Sequence, residues 1–201
     1  PDQLQFAVID YKGGSLIEQL RFQGRLIPHC CAQLNNVAEG GAERSLIYLR
    51  QECERRQRCF AQAQTRLKQP VADLDHYRQL CLDHPQLTPL AHCVLIIDEF
   101  AELKAEYPDF MKEIISAARI GRTLGVHLIL ATQKPSGVVD NQIWSNSKFR
   151  LCLKVQTKED SKEVIKTPLA AEIVEPGRAY FQVGNNEIFE LFQSAYSGAK
   201  V

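Results

Sequence analysis

The chain has 201 residues, of which 45% are hydrophobic and 24% are charged, so it is long enough for one sizeable α/β domain with a buried core. Lys plus Arg and Asp plus Glu number 24 each, which excludes the broad positive field of a protein that binds nucleic acid or a membrane surface all along its length. The seven cysteines show no C-x-x-C spacing, which favours free thiols in a reducing compartment over disulfides or zinc.

The first part of the chain alternates between short apolar runs and longer amphipathic segments. Two glycines at positions 13 and 14 permit a tight turn after the first run, and Pro70 ends the longest segment. From these patterns we predict, in chain order, a strand over residues 4–9, a short amphipathic segment over residues 16–22, a weaker strand over residues 28–34, a long helix over residues 42–69 and a looser helix over residues 74–82.

The rest of the chain continues this alternation. We predict strands over residues 93–97, 125–130 and 149–155, a helix beyond Pro108 that runs through Leu124, a short helix over residues 159–166, and a hairpin of residues 177–183 and 187–192. Residues 100–105 lie between the first of these strands and the helix beyond Pro108. The Gly-Asn-Asn turn at residues 184–186 supplies the positive φ angles that a hairpin needs. We therefore expect an α/β fold with a mostly parallel sheet, helices on both faces and an antiparallel hairpin at its edge.

Two of the predicted strands end abruptly in polar side chains. Residues 93–97 lead into Asp98 and Glu99, and residues 125–132 lead into the amide of Gln133. The carboxyl ends of parallel strands meet at one edge of an α/β sheet, where ligands collect. Aliphatic residues followed by Asp-Glu have the form of a Walker B segment, in which the Asp holds Mg²⁺ and the Glu orients and deprotonates a water. The alternative is a strand that meets a helix whose first turn favours acids because of the helix dipole.

Several longer motifs resemble one family. They are I-D-Y-K-G-G at residues 9–14, L-I-I-D-E-F-A-E-L at residues 95–103, A-R-I-G-R at residues 118–122, G-V-H-L-I-L-A-T-Q-K-P at residues 125–135, Q-I-W-S-N at residues 142–146 and I-F-E-L-F-Q-S-A at residues 188–195. These motifs resemble the FtsK/SpoIIIE ATPases and, within that family, the EssC/EccC branch of type VII (ESX-like) protein secretion. The resemblance covers nearly the whole chain and implies a RecA-like P-loop NTPase fold that binds ATP and Mg²⁺.

The resemblance also implies roles for residues other than the two acids. Arg122 corresponds to the arginine-finger segment, whose guanidinium stabilises charge on the γ-phosphate held by a neighbouring subunit. The alternative for Arg122 is a solvated arginine at a helix end. Gln133 resembles the polar sensor that reaches the γ-phosphate or the attacking water; otherwise it only caps a strand end. Asp10 and Lys12 follow a strand that ends at the same edge, so either could reach the nucleotide or a neighbouring subunit.

One motif of the family does not occur in the sequence. The string G-x-x-x-x-G-K-[S/T], whose backbone N–H groups cradle phosphates, is absent from the 201 residues. In relatives this loop precedes the strand that leads into D-Y-K-G-G, so we expect the chain to lack the first strand, the phosphate loop and the first helix through truncation. The alternative is a degenerate module that has lost the loop. We expect this chain alone to bind ATP poorly and to be inactive as an ATPase.

The function implied by the resemblance is that of an ATPase module in a secretion motor. Residues 1–201 would form a single truncated domain, with residues 184–201 leading toward a following module. The motor would export small helical-hairpin proteins, and its expected partners are sister ATPase modules, further copies of itself in a hexameric ring and membrane secretion components at the cytoplasmic face of a bacterial membrane. Two alternatives remain open: a double-stranded DNA translocase, which the neutral charge balance disfavours, and a non-hydrolysing regulatory module.

Three other features have structural interpretations. We expect the single tryptophan, Trp144, to be a packing anchor and not a base-stacking platform. His127 lies inside an apolar strand, which predicts a buried core histidine and not a metal ligand. A solvated helix face is predicted for the arginines that alternate with glutamates, namely Arg50, Arg55, Arg56 and Arg58.

Overall fold

The computed structural model describes residues 2–10, 15–35, 41–135, 137, 139 and 141–196, so that Lys12 lies outside the described residues. Contacts divide the chain into two compact units, residues 1–132 and residues 133–201. Among the helices of the described residues, none combines the length and the apolar character that are needed to cross a membrane.

The first unit contains a four-stranded parallel sheet flanked by helices. Its elements are, in chain order, β1 (Leu4–Asp10), α1 (Ser15–Gln19), β2 (Arg21–Phe22), β3 (Arg25–Leu26), β4 (Cys30–Asn35), α2 (Gly41–Leu67), α3 (Leu74–Asp83), β5 (His92–Asp98), α4 (Phe100–Glu106), α5 (Pro108–Leu124) and β6 (Val126–Leu130). The strand order of the parallel sheet is β4-β1-β5-β6. The amphipathic segment predicted over residues 16–22 is helical only as far as Gln19, because Gln23 and Gly24 have φ angles of 51° and 74° and turn the chain into a β2–β3 hairpin.

The centre of this sheet is formed by β1 and β5. The last four residues of β1 are buried, since this strand lies between β4 and β5. In β5 the burial alternates, and the fully buried residues are Cys93, Leu95 and Ile97. β1 is therefore buried on both faces at its end, whereas β5 is buried on one face and half-buried on the other.

The C-terminus of α5 is fixed from two sides. Gly125 ends the helix with a φ of 71°, and its N–H donates to the carbonyl of Arg122 over 3.3 Å. A side-chain carbon at this glycine would overlap Leu74, so both the conformation and the space require glycine here. The guanidinium of Arg56 donates from Nη1 to the carbonyl of Leu124 over 2.9 Å, which satisfies a carbonyl that has no partner within the helix.

Arg56 is a buried anchor of α2. It is 1% exposed, and its Nε donates to Oε1 of Glu52 over 2.7 Å, while Arg55 donates to both oxygens of the same carboxylate. The prediction of a solvated helix face is therefore wrong for Arg56, because the end of α5 packs against α2 at this point. It holds for Arg58, which is exposed and lies 3.7 Å from the carboxylate of Glu54.

We expect Arg56→Met to lower the free energy of unfolding by about 3 kcal/mol, the cost typical of breaking a buried, hydrogen-bonded ion pair. Methionine fills much of the volume but leaves the carbonyl of Leu124 without its donor. Urea unfolding followed by circular dichroism measures the change. Arg58→Met, on the exposed face of the same helix, is the control and should change stability by less than about 0.5 kcal/mol. Equal effects of the two substitutions would contradict the anchoring role.

The second unit contains a three-stranded antiparallel sheet. Its elements are α6 (Asn141–Asn146), β7 (Phe149–Leu153), α7 (Lys158–Ile165), a 3₁₀ turn (Leu169–Glu172), β8 (Arg178–Val183) and β9 (Ile188–Gln193). The turn between β8 and β9 has φ angles of 57° at Gly184 and 66° at Asn186, as the sequence predicts. The predicted fold class is confirmed, with the antiparallel strands in a sheet of their own in the order β7-β8-β9.

The two faces of the antiparallel sheet differ in what covers them. One face packs on α7 and the 3₁₀ turn through a buried cluster of Cys152, Ile165, Ala170 and Ile173. On β7 the alternate side chains are solvent-accessible, with exposed fractions of 67% at Phe149, 54% at Leu151 and 51% at Leu153. The sheet therefore has one covered face and one open apolar stripe.

Trp144 joins α6 to α7. Its indole Nε1 donates a hydrogen bond to Oε1 of Glu163 over 3.0 Å, and the guanidinium carbon of Arg150 lies 4.8 Å from the ring centroid. These contacts hold the half-buried ring in place from two sides. The interpretation of Trp144 as a packing anchor is therefore confirmed.

Candidate functional site

Two carboxylates lie side by side at the C-terminal edge of the parallel sheet. Asp10, the last residue of β1, is the register partner of Asp98, the last residue of β5, one step beyond the pair Ile9 and Ile97. Asp10 is fully buried and Asp98 is half-buried. The structure thus brings together two of the predicted site residues, because parallel strands in register end at the same edge.

Asp10 also has a structural role. Its Oδ2 accepts a hydrogen bond from the backbone N–H of Leu16 over 3.0 Å. This bond satisfies one of the N–H groups at the beginning of α1, which have no partner within the helix. The carboxylate therefore links the end of β1 to the helix that follows it.

Glu99 occupies a strained position between β5 and α4. Its φ and ψ angles are 52° and 49°, and the residue is only 4% exposed. This left-handed conformation costs a non-glycine residue about 1–2 kcal/mol, so it persists only where neighbouring contacts hold it. Glu99 is the N-cap residue of α4, but its side chain makes no capping hydrogen bond with the first turn, so the carboxylate is not used to cap that helix.

Thr132 contacts Glu99, and the sequence did not predict this interaction. It follows β6, and its Oγ1 donates a hydrogen bond of 2.9 Å to Oε1 of Glu99. The available signal was a hydroxyl residue just after the strand that pairs with β5.

Gln133 is exposed and comes three residues after the end of β6. It is the first residue of the second unit, whereas Thr132 is the last residue of the first. The sensor role of Gln133 stays a prediction.

Arg122 lies at the opposite end of the parallel sheet from the acids. It is exposed in the last turn of α5, and its side chain has no hydrogen bond or ion pair with any described residue. The chain passes from there through Gly125 to Val126, whose register partner is Cys93. Cys93 precedes Asp98 by five residues, or about 16 Å along a strand. The structure therefore does not bring Arg122 to the acids of its own chain.

The donor atoms at the acidic edge suit a magnesium ion. Mg²⁺ is usually held through one or two carboxylates and completed by phosphates and water, and not by a dedicated protein cage. Among the described residues, no group of three or more His, Cys, Asp or Glu is arranged to hold a metal ion. The single carboxylate of Asp98 at this edge fits the role that such a side chain has in holding an ion that arrives with a nucleotide.

A second polar cluster lies at the N-terminal ends of β5 and β6. His92 Nδ1 is 3.2 Å from His127 Nε2, and His92 Nε2 is 3.1 Å from Oδ1 of Asp75. His127 is exposed, so the prediction of a core histidine is wrong. The physical reason is that β6 is the outer strand of the order β4-β1-β5-β6, and its alternate side chains reach solvent.

Because of the histidine cluster, the free energy of unfolding should depend on pH. Burial lowers the pKa of His127 from its ordinary value of about 6.5, and His92 and Arg56 lower this pKa further against an opposing effect of Asp75. Because the folded pKa lies below the unfolded one, the unfolded chain binds more protons and stability falls as the pH drops through about 6.5.

We expect the urea midpoint to be lower at about pH 5.5 than at about pH 7.5, and the difference to be smaller in His127→Gln. His29→Gln, in the connection before β4, is the control for removing a histidine elsewhere. The same decline in the original chain and in both variants would refute the assignment of this pH dependence to His127.

Comparisons with known proteins agree on one family. The sequence model of the FtsK/SpoIIIE family matches residues 1–137. Over 199 residues the chain is 52% identical to the type VII secretion system protein EssC of Staphylococcus aureus, and this alignment covers 99% of the chain. The chain spans 13% of the length of that curated relative.

Solved structures support the RecA-like fold. The cytoplasmic domain of the type VII secretion ATPase EccC of Thermomonospora curvata has a TM-score of 0.81 and 28% identity, covering 100% of this chain and 22% of that one. The pCW3 conjugation coupling protein TcpA, in a monomer form with ATPγS, has a TM-score of 0.71 and 20% identity, covering 94% of this chain and 51% of that one. At 20% identity the second likeness shows the fold alone.

Proposed function

Because the chain belongs to the FtsK/SpoIIIE family, we propose that it forms part of an ATPase module in a type VII protein secretion motor. The observation that carries the proposal is the place of Asp98 and buried Glu99 at the C-terminal end of a central parallel strand. The identity of 52% with EssC over nearly the whole chain supports the secretion branch of the family. In this proposal the module couples ATP binding and hydrolysis to the export of small helical-hairpin proteins.

The neighbouring acids have different tasks in the proposed mechanism. Asp98 would hold Mg²⁺, which when bound neutralises charge on the β- and γ-phosphates of ATP. Glu99 accepts the proton of the attacking water, a task that suits a buried carboxylate whose backbone is fixed. Asp10 holds the beginning of α1 through the N–H of Leu16.

The proposal assigns tasks to three further residues. Arg122 lies at the end of the parallel sheet opposite to the acids of its own chain, so its guanidinium would act on the γ-phosphate of a neighbouring subunit or sister module in a ring. Gln133 and Lys12 would contact the nucleotide or a neighbouring subunit. We propose that another segment of the polypeptide supplies the phosphate cradle, since no G-x-x-x-x-G-K-[S/T] string occurs in these residues, and that the chain alone is inactive.

The proposed assembly works at the cytoplasmic face of a bacterial membrane together with membrane secretion components. ATP hydrolysis by the full-length protein that carries this chain tests the proposal. We expect Mg²⁺-dependent turnover in the assembled oligomer and, in cells, loss of export of small helical-hairpin proteins when this chain carries Glu99→Gln.

Two other outcomes would point to the alternative functions. An assembled oligomer without ATP turnover would favour a non-hydrolysing regulatory module. Turnover stimulated by duplex DNA, together with salt-sensitive DNA binding, would favour a DNA translocase.

A further inference from the structure

The carboxylate of Glu99 is held by a residue to which the proposed mechanism assigns no chemistry. Thr132 donates its hydroxyl hydrogen bond to Oε1 of Glu99 over 2.9 Å. We infer that Thr132 is a positioning residue, which holds the Glu99 carboxylate in the orientation required to accept a proton from water. The inference rests on the proposed ATPase function and adds to it the residue that sets the geometry of the base.

The backbone next to Glu99 and the Glu99 side chain are both hydrogen-bonded to the two residues that follow β6. The N–H of Ala131 donates to the carbonyl of Ile97 over 2.9 Å, and the N–H of Phe100 donates to the carbonyl of Ala131 over 3.0 Å. These two bonds bracket Glu99 and hold its left-handed conformation. Residues 131 and 132 therefore fix both the main chain and the side chain of the base.

A hydroxyl donor suits this position chemically. Glu99 is 4% exposed, so a donor from the protein must replace most of the water that would otherwise solvate Oε1. A lysine or arginine here would stabilise the carboxylate charge more strongly and make the group a weaker base. Threonine orients the carboxylate without adding a positive charge to the edge where Asp10 and Asp98 lie.

Two substitutions separate the hydroxyl from the shape of the side chain. Thr132→Val keeps the branched shape and removes the donor, whereas Thr132→Ser keeps the donor and removes a methyl group. In the full-length protein we expect Thr132→Val to lower kcat for ATP hydrolysis about tenfold or more with little change in KM. Thr132→Ser should restore most of the turnover.

A double-mutant cycle and crystal structures of the variants distinguish positioning from a merely structural role. If Thr132 acts through Glu99, adding Thr132→Val to Glu99→Gln should lower kcat by clearly less than it does alone. Crystal structures give a readout without catalysis. The Glu99 carboxylate should leave its position in Thr132→Val and keep it in Thr132→Ser.

The possible results either support or overturn the inference. Equal kcat values for the two variants, a change confined to KM, or full additivity with Glu99→Gln would overturn it. If the original full-length protein shows no ATP turnover, the proposed function fails separately. The crystal structures then decide alone, because an unmoved Glu99 carboxylate in Thr132→Val shows that the hydroxyl does not hold it, and a displaced carboxylate shows that it does.

Discussion

Glu99→Gln should lower kcat for ATP hydrolysis by the full-length protein about 10²–10⁴-fold, the contribution typical of a positioned general base. Glutamine keeps the size of the side chain, and its amide oxygen can still accept the hydrogen bond from Thr132. The substitution therefore removes the proton acceptor with little change in packing. Steady-state kinetics should show a loss in kcat and a KM close to that of the original protein.

The control for this substitution is Glu102→Gln. Glu102 is exposed in the first turn of α4, so it tests the loss of an acid near the same helix end. We expect this variant to retain most of its turnover. Equal losses in the two variants would assign the effect to helix electrostatics and not to a base.

Arg122→Ala should lower kcat about 10³-fold or more if its guanidinium stabilises the transition state in a neighbouring site. Under the proposed function Arg122 acts between subunits, because it is exposed at the end of the sheet opposite to the acids of its own chain. Arg119→Ala, three residues earlier on the same helix and also exposed, is the control and should remain active.

Mixed oligomers test whether the arginine acts in trans. Combining Arg122→Ala with Glu99→Gln protein should restore part of the turnover, because some interfaces then pair an intact Glu99 with an intact Arg122. Each variant alone forms only defective sites. If mixing restores nothing while both variants assemble normally, Arg122 does not serve its neighbour.

The strands that build the acidic edge could be predicted from the sequence alone. Apolar runs at residues 4–9 and 93–97 are too short for helices and end in Asp10 and Asp98, and alternation with helices predicts a parallel sheet. Because parallel strands end at one edge, the meeting of the two carboxylates follows from the pattern.

The contacts between elements could not be predicted in the same way. Arg56 is buried because its guanidinium meets the carbonyl of Leu124, which lies 68 residues later in the chain. Exposure of His127 depends on β6 being the outer strand of the order β4-β1-β5-β6, and periodicity within one strand does not reveal strand order. The bond from Thr132 to Glu99 likewise depends on how two loops meet beyond the sheet.

Strands β1 and β5 pair residue by residue, so the gene segments that encode them cannot change in length without disturbing the pairing. Partners run without a break from Leu4 and His92 to Asp10 and Asp98. Inserting or deleting one codon inside β1 would turn every following side chain of the strand to the opposite face of the sheet. Ile9 would then point to the side on which Asp10 now lies, and Asp10 to the side on which Ile9 now lies. Insertions and deletions should therefore accumulate in the connections, such as the one between α3 and β5, while the number of residues in β1 and in β5 stays the same.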